Sequence, residues 1–399
     1  MYSLQRVDPQ KLFEPVRQIL TAKLAHGAPL VAAVDDTRLR KCGRKTDGVK
    51  YTRDPMGPPF HINLIKAQRF LQISIASTAD NGMARMIPID FVHAPAPKKP
   101  RAGSDEETCA QFRQAKREMA LPKVGGDRLR VLRNAMDKEG QQDRPLWTVV
   151  DGGYTNRTFL KQMPPRTVAI GRIRADAKLY HLPEPTKGKT GRNRVYGRRA
   201  PTPEQLRQDQ SVPWEKVEAF AAGKTHQFRI KTISRLRWRP AGKQHDLRLI
   251  VIAPLGYRPT KNSRMLYRKP AYLICTDPDA SLELVLQAYI WRWDIEVNFR
   301  DEKTLLGVGQ AQVRHKHSVQ NVPALAVAAY AMLLTSATIA YGPTGKPDSL
   351  PPPKWRRKTS LRASTQSLVR LLRHEVWAQT IRFSSFVSPQ HLNTKLPNL

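Results

Sequence analysis

Cysteine is scarce in this 399-residue chain, and the three present, Cys42, Cys109 and Cys275, are odd in number and far apart. That argues against a disulfide framework or a cysteine-based zinc site and fits a reducing cytosol. Acidic residues are few as well: 33 Asp+Glu stand against 68 Lys+Arg, a formal net charge of +35. A surface this positive attracts a polyanion, because each phosphate neutralised by Lys or Arg releases condensed counterions. The N-terminal MYSLQRVDPQ lacks the apolar core of a secretion signal. No phosphate-binding G-x-x-x-x-G-K-[ST] loop is present, so ATP use is not expected. Internal repeats, lipidation signals and basic amphipathic membrane helices are missing too. One long apolar run occurs, residues 322–340, about the length needed to span a bilayer. Its alanines, Pro323, Thr335, Ser336 and Thr338 read better as a buried core helix than as a membrane span.

What is present is the balance of a soluble globular protein, 40% hydrophobic and 25% charged. Residues 29–37, PLVAAVDDT, read as a buried strand delivering Asp35 and Asp36 at its end. Strand-like runs follow at 70–76 and 86–92, then a basic Pro-rich linker, HAPAPKKPRAG. A helical stretch from Glu106 to about Met136 is interrupted near Pro122 and Gly125-Gly126. Residues 146–153, LWTVVDGG, repeat the pattern of an apolar strand ending in an acid, Asp151. Strands, helix, then strand suggest an α/β sheet. Residues 187–199 hold six basic side chains and no acid, and read as an exposed loop that contacts phosphate through Lys187, Lys189, Arg192 and Arg194, or is merely solvated. HQFRIKTI, LRLIVIAP and AYLICT then form a β-rich stretch. A long helix is expected over 281–306, and a short amphipathic one over 368–376 after a second basic, Pro-rich linker.

The long helix carries the most chemistry. At about 100° per residue, Arg292, Glu296 and Lys303 lie about 60°, 20° and 40° round from Tyr289. A phenol, a guanidinium, a carboxylate and an ammonium therefore share one face, while Ile290, Ile295 and Phe299 can pack on the sheet. Taken alone, such a face is as readily a solvated surface laced with helical ion pairs, and an acid after a strand is usually a turn or cap residue. Together, two strand acids and one helical acid can build a two-metal phosphoryl-transfer site. Trp238, amid basic residues in RLRWRP, is a candidate to stack on a base, as is one of Trp291 and Trp293. The pair His315 and His317 lacks the neighbours a metal site needs.

These residues resemble the DDE transposases of bacterial insertion sequences, in the cut-and-paste group marked by a Y-x2-R-x3-E-x6-K helix. Tyr289, Arg292, Glu296 and Lys303 match that pattern without a gap, Asp35-Asp36-Thr37 resembles the context of the first aspartate, and Asp151 in VVDGGYTN resembles the second. The resemblance runs from about residue 35 to 340. It implies an α/β, ribonuclease H-like (retroviral-integrase-like) core with a β-rich insertion before the glutamate helix. The expected organisation is a short N-terminal segment (1–28), a first stretch of the core (29–185), a basic β-rich insertion (186–280), the catalytic-helix stretch of the core (281–342) and a basic Pro-rich linker with a helical tail (343–399). Asp36, Asp151 and Glu296 would ligate two Mg2+ (or Mn2+) ions, with Asp35 an alternative to Asp36. Arg292 and Lys303 would hold phosphates, Tyr289 would contact the same strand, and Arg172 and Arg174 would touch the backbone. Implied partners are DNA, as terminal inverted repeats and target, and a second copy of the chain on paired ends, in the bacterial cytosol and nucleoid. Only about 30 residues precede the first strand, where this group usually carries an end-binding domain. The alternatives are an N-terminally truncated or domesticated non-catalytic DNA-binding remnant and a stand-alone nuclease without joining activity.

Overall fold

Two runs of small and branched apolar residues, 30–34 and 146–150, form neighbouring strands at the centre of a mixed α/β fold. The computed structural model describes residues 8–43, 45–54, 57–58, 60–184, 193–260, 262–347 and 361–382. The chain begins with α1 (Gln10–Ala22), β1 (Leu30–Arg40), β2 (Lys50–Arg53), β3 (Leu64–Thr78), β4 (Ala84–His93), α2 (Glu106–Glu118) and α3 (Leu121–Lys138). It continues through β5 (Leu146–Val150), α4 (Arg157–Leu160), β6 (Thr167–Arg172), β7 (Leu179–His181), α5 (Pro203–Gln208), β8 (Glu215–Ala221), β9 (Lys224–Trp238) and β10 (Leu247–Ile252). It ends with β11 (Gly256–Tyr257), β12 (Leu266–Tyr267), β13 (Ala271–Cys275), α6 (Leu282–Trp291), α7 (Asp294–Thr304), α8 (Lys316–Tyr341) and α9 (Thr365–Arg382).

The main sheet has the order β2-β3-β1-β5-β6-β13-β10-β9-β7, with β4 also on β3 and β8 also on β9. Only β1, β5 and β6 run parallel to one another; the other pairings are antiparallel. The β-rich stretch before α6 continues this sheet, because β13 pairs with β6 through Leu273 opposite Arg172 and Cys275 opposite Ile170.

Alternation along β1 sorts its side chains between two cores. Leu30, Ala32 and Val34 join Phe13, Val16 and Leu20 of α1, Leu129 of α3 and Val327 and Leu334 of α8. Val31 and Ala33 join Trp147, Val149, Ile170, Val285 of α6, and Ile295 and Phe299 of α7. The apolar run 322–340 lies within α8, where Thr335 and Thr338 turn their hydroxyls back to the Ala331 and Leu334 carbonyls at 2.8 and 2.9 Å. Of its most apolar window, 56% is buried inside the protein. The break between α2 and α3 falls at residues 119–120, with Pro122 in the first turn of α3. Gly125 and Gly126 sit inside α3 instead of interrupting it: a Cβ at Gly125 would lie 3.2 Å from the Tyr154 ring and one at Gly126 3.0 Å from Gln162. Residues 348–358 of the second Pro-rich linker lie outside the described residues.

The helix α7 is pinned by a polar network. Asp294 accepts from the Met86 amide at 2.9 Å and from Arg362 at 3.0 Å, and Asn298 donates to the Met86 carbonyl at 3.0 Å. The Thr365 hydroxyl donates to Asp301 at 2.7 Å, and buried Arg85 donates to the Ala363 carbonyl. Glu302 lies wholly inside, and burial pushes its carboxyl up to about 8 against the smaller opposing pulls of Gln72 and Lys303.

Two outcomes follow for the scaffold. A Cβ on Gly171 would stand 2.3 Å from the Thr155 hydroxyl, which donates to the Asp151 carbonyl at 2.7 Å. Gly171→Val is therefore expected to lower stability by about 1–3 kcal/mol in urea unfolding, and an unchanged midpoint would contradict this packing. Because Glu302 holds its proton more tightly folded than unfolded, its contribution to stability is full below pH ~4.5 and lost as pH rises through about 8. Glu302→Gln, neutral throughout, should flatten the fall of the thermal midpoint over that window.

Candidate active site

The strand acids owe their position to where pairing stops. β1 is matched to β5 as far as Val34 opposite Val150, while on its other edge β3 continues past it, with Gln72 opposite Asp35 and Leu71 opposite Asp36. Asp35 and Asp36 thus lie within β1, not at its end, at the point where β5 departs. Asp151 is the first residue after β5. Its Oδ1 accepts from the Gly153 and Tyr154 amides at 2.8 and 3.2 Å, and its carbonyl accepts from Thr155. This is a tight turn fixed by its own acid.

Adjacent strand residues point to opposite faces, and that separates the two acids. Asp35, in phase with Val31 and Ala33, faces α6 and α7, and the Arg292 guanidinium lies 3.4 Å from its Oδ2. Asp36, in phase with Ala32 and Val34, faces the other core; Tyr154 OH is 3.5 Å from its Oδ1 and Arg38 3.8 Å from its Oδ2. Asp35, Asp151, Tyr289, Arg292 and Glu296 line one cleft of about 970 Å3, whereas Asp36 is not on its wall. The expectation that preferred Asp36 as the first member of the triad rested on its adjacency to Thr37. Of the two strand acids, the pleat puts Asp35 on the cleft wall that Asp151 and Glu296 also line.

The helix expected over 281–306 is two helices. The Trp293, Ile295 and Glu296 amides donate to the carbonyls three residues back, at 3.1–3.2 Å, so the chain is overwound between α6 and α7. Tyr289, Arg292 and Glu296 line the cleft; Lys303, in α7 with Glu296 but about 10 Å further along its axis, does not. Burial lowers the affinity of Lys303 for its proton, and its charged neighbours are Glu302, Arg38, Arg40 and Asp36; its ammonium is 5.9 Å from the Phe299 ring.

The cleft concentrates negative charge in a poorly solvated place. Burial, then the nearby Asp151, push Asp35 up to about 7, although Arg292 and the Asp36 amide pull it down. Burial raises Asp36 and Glu296 too, with Asp151 adding repulsion to both. Arg292, only 9% exposed, is shared between Asp35 and Glu296 at 3.4 Å each, and its centre lies 6.0 Å from the Tyr289 ring. Hard oxygen donors that repel one another suit a divalent cation such as Mg2+; off the cleft wall, Asp36 Oδ2 is buried with no hydrogen-bond partner, Arg38 being 3.8 Å away. With the side chains as they stand, no group of three or more His, Cys, Asp or Glu is gathered to hold a metal among the described residues.

Of the expected DNA contacts, Arg172, Arg174 and Trp238 line the cleft, Arg174 paired at 2.8 Å with exposed Asp176. Arg194 is exposed, away from the cleft wall; Lys187, Lys189 and Arg192 lie outside the described residues. Trp291 packs against the core and donates its indole N–H to the Gly82 carbonyl at 2.9 Å, leaving Trp293, 62% exposed, on the cleft wall. The exposed His315 and His317 rings, 5.4 Å apart, are not on that wall. Sequence reasoning missed Lys269 and Tyr272, which also line the cleft. Their signal was the RKPAY step, where a basic loop re-enters a strand beside β6.

No curated protein matches the chain. The family model described as DDE superfamily endonuclease matches residues 3–243, a span holding Asp35, Asp36 and Asp151 and ending before Glu296. That covers more than half of the sequence and includes the paired strands that carry two of the cleft acids, so the chain belongs to the DDE superfamily endonucleases.

Proposed function

We propose that this endonuclease is a transposase that cleaves DNA strands at transposon ends and joins the freed ends to target DNA, with Asp35, Asp151 and Glu296 as its acidic triad. The observation that carries the reading is that these three carboxylates, from β1, the turn after β5 and α7, line one cleft together with Arg292 and Tyr289. The antiparallel strands β4-β3-β1 followed by parallel β5 and β6 support a ribonuclease H-like core, with residues 186–280 as its β-rich insertion. DDE endonucleases generally use divalent metal ions, and Mg2+ or Mn2+ suits an all-carboxylate donor set. Such ions, when bound, supply Lewis-acid polarisation of the phosphate and a deprotonated oxygen nucleophile.

The chain's own residues do the rest. Arg292, released from Asp35 and Glu296, holds a phosphate oxygen by charge-assisted hydrogen bonds. Arg172, Arg174 and Lys269 attract the backbone, and Tyr289 packs against the same strand. Asp36 acts at one remove, through the Tyr154 hydroxyl, on the turn that aims Asp151. The reading puts the protein on DNA in the bacterial cytosol, as a homodimer bridging inverted repeats.

The test is Mg2+-dependent nicking of a transposon-end duplex by wild type and three variants, with binding followed in parallel. Asp35→Asn and Glu296→Gln should each lose more than about 100-fold in cleavage, beyond what removal of an outer partner costs, while Asp36→Asn stays within that range. All three should still bind DNA. If Asp36→Asn is the dead variant and Asp35→Asn is not, the triad is misassigned. Binding without cleavage by wild type would favour a non-catalytic remnant.

A further inference from the structure

A second groove, of about 530 Å3, lies on the β-rich extension and is walled by Arg207, Gln208, Gln210, Trp214, Arg229 and Tyr267. It is joined to the catalytic cleft by two routes. The Tyr272 ring lines the cleft, and its hydroxyl donates to Glu204, which in turn holds Arg207 of the groove at 2.5 and 2.9 Å. Along the backbone, Tyr267 of the groove is two residues before Lys269 of the cleft, with exposed Arg268 between them.

The groove mixes cations with rings. The Lys231 ammonium is 4.6 Å from the centre of the Trp214 ring and the Arg229 guanidinium 5.6 Å from it, both within cation–π range. Lys231 is buried, and its ammonium is tied to the Arg207 and Asp209 carbonyls, so it fixes Trp214 from below the surface. Arg229 is exposed and has no carboxylate partner among the described residues, in contrast to Arg207. Tyr267, 71% exposed, projects from the short β11–β12 hairpin, one edge of its ring over Gly256 and the rest open to solvent. Amide side chains at Gln208 and Gln210 add donors and acceptors that are not charge-selective.

A duplex offers its phosphates to cations but keeps its base faces stacked inside. An exposed ring and a half-buried one, beside a guanidinium without a carboxylate partner, suit a strand whose bases are free to stack, with no demand on sequence. We propose that this groove binds an unpaired DNA strand leading away from the catalytic cleft, its phosphates on Arg229 and a base against Tyr267. The inference rests on the DNA-cleaving reading for what the strand is, but not for whether the groove binds it. During cutting, the strand released beside the acids would run over Lys269 and Arg268 into the groove and be kept from re-annealing.

The experiment compares full-length wild type, Tyr267→Ala, Tyr267→Phe, Arg229→Ala and Glu296→Gln by fluorescence anisotropy. The probes are a blunt DNA duplex and the same duplex with a short single-stranded tail, at one fixed salt concentration. The tail should tighten wild-type binding by about tenfold, the scale of one stacked base with a phosphate contact. Tyr267→Ala and Arg229→Ala should remove that gain and leave the blunt duplex unchanged, and Tyr267→Phe should restore it. Both altered side chains are exposed, so folding is not at stake, and circular dichroism checks it. Glu296→Gln should keep the tail preference, and a wild type that never cuts but shows the same preference would sink the catalytic reading alone. Equal weakening of both probes would make the groove a duplex-backbone contact, and no change with either variant would remove it as a DNA site; each overturns the proposal.

Discussion

The parallel register of β1 on β5 is the constraint from which the cleft follows. Val34 opposite Val150 is the last matched pair, and the residues that come next, where the strands diverge, are Asp35 and Asp151. Two acids more than a hundred positions apart are thereby placed side by side by backbone hydrogen bonds, before any side chain chooses a rotamer. β3 keeps hold of β1 beyond that point, so Asp35 is rigidly mounted while Asp151 turns on its own Asx-type bonds. One strand supplies precision and the other supplies a hinge-like turn braced by Thr155 and Gly171.

Charge, not packing, is the cost of this arrangement. Desolvated carboxylates that face one another favour protonation, and Arg292 offsets that by sitting between Asp35 and Glu296. In the proposed reading, a metal ion taken up by the acids would loosen their hold on the guanidinium and turn more of its donors to a substrate phosphate.

Much of this was readable from the sequence, and the exceptions have physical causes. The apolar runs ending at Asp35 and Asp151 and the apolar run of α8 announced buried elements, because a strand or helix enclosed on its faces leaves few alternatives. Arg292 and Glu296 were legible as near neighbours on one helix. Lys303 shares a helical face with Glu296, but a wheel does not show the two turns, about 10 Å, that separate them along α7 and leave Lys303 off the cleft wall. The choice between Asp35 and Asp36 needed to know which face of β1 looks toward α7, and no single strand carries that information. The helix α1 went unseen although Phe13, Val16 and Leu20 have helical spacing, since its apolar stripe is only three buried residues wide and a Pro15 lies among them. The polar network beneath α7 joins residues 294–301 to 86, 362 and 365, and pairings that distant leave no local pattern.

That network also fixes an order of assembly. Some of the bonds that moor α7 come from Met86, and others from Arg362 and Thr365, more than sixty residues beyond Glu296. A ribosome releases the chain from its N-terminus, so β1 and β5 can pair, and Asp35 can meet Asp151, while the later mooring residues are still unmade. The helix that carries Glu296 gains its last polar moorings when the late segment arrives. In the proposed reading, a nascent or prematurely ended chain would carry a basic surface with two of the three proposed acids in position, able to hold DNA before it is equipped to cut it.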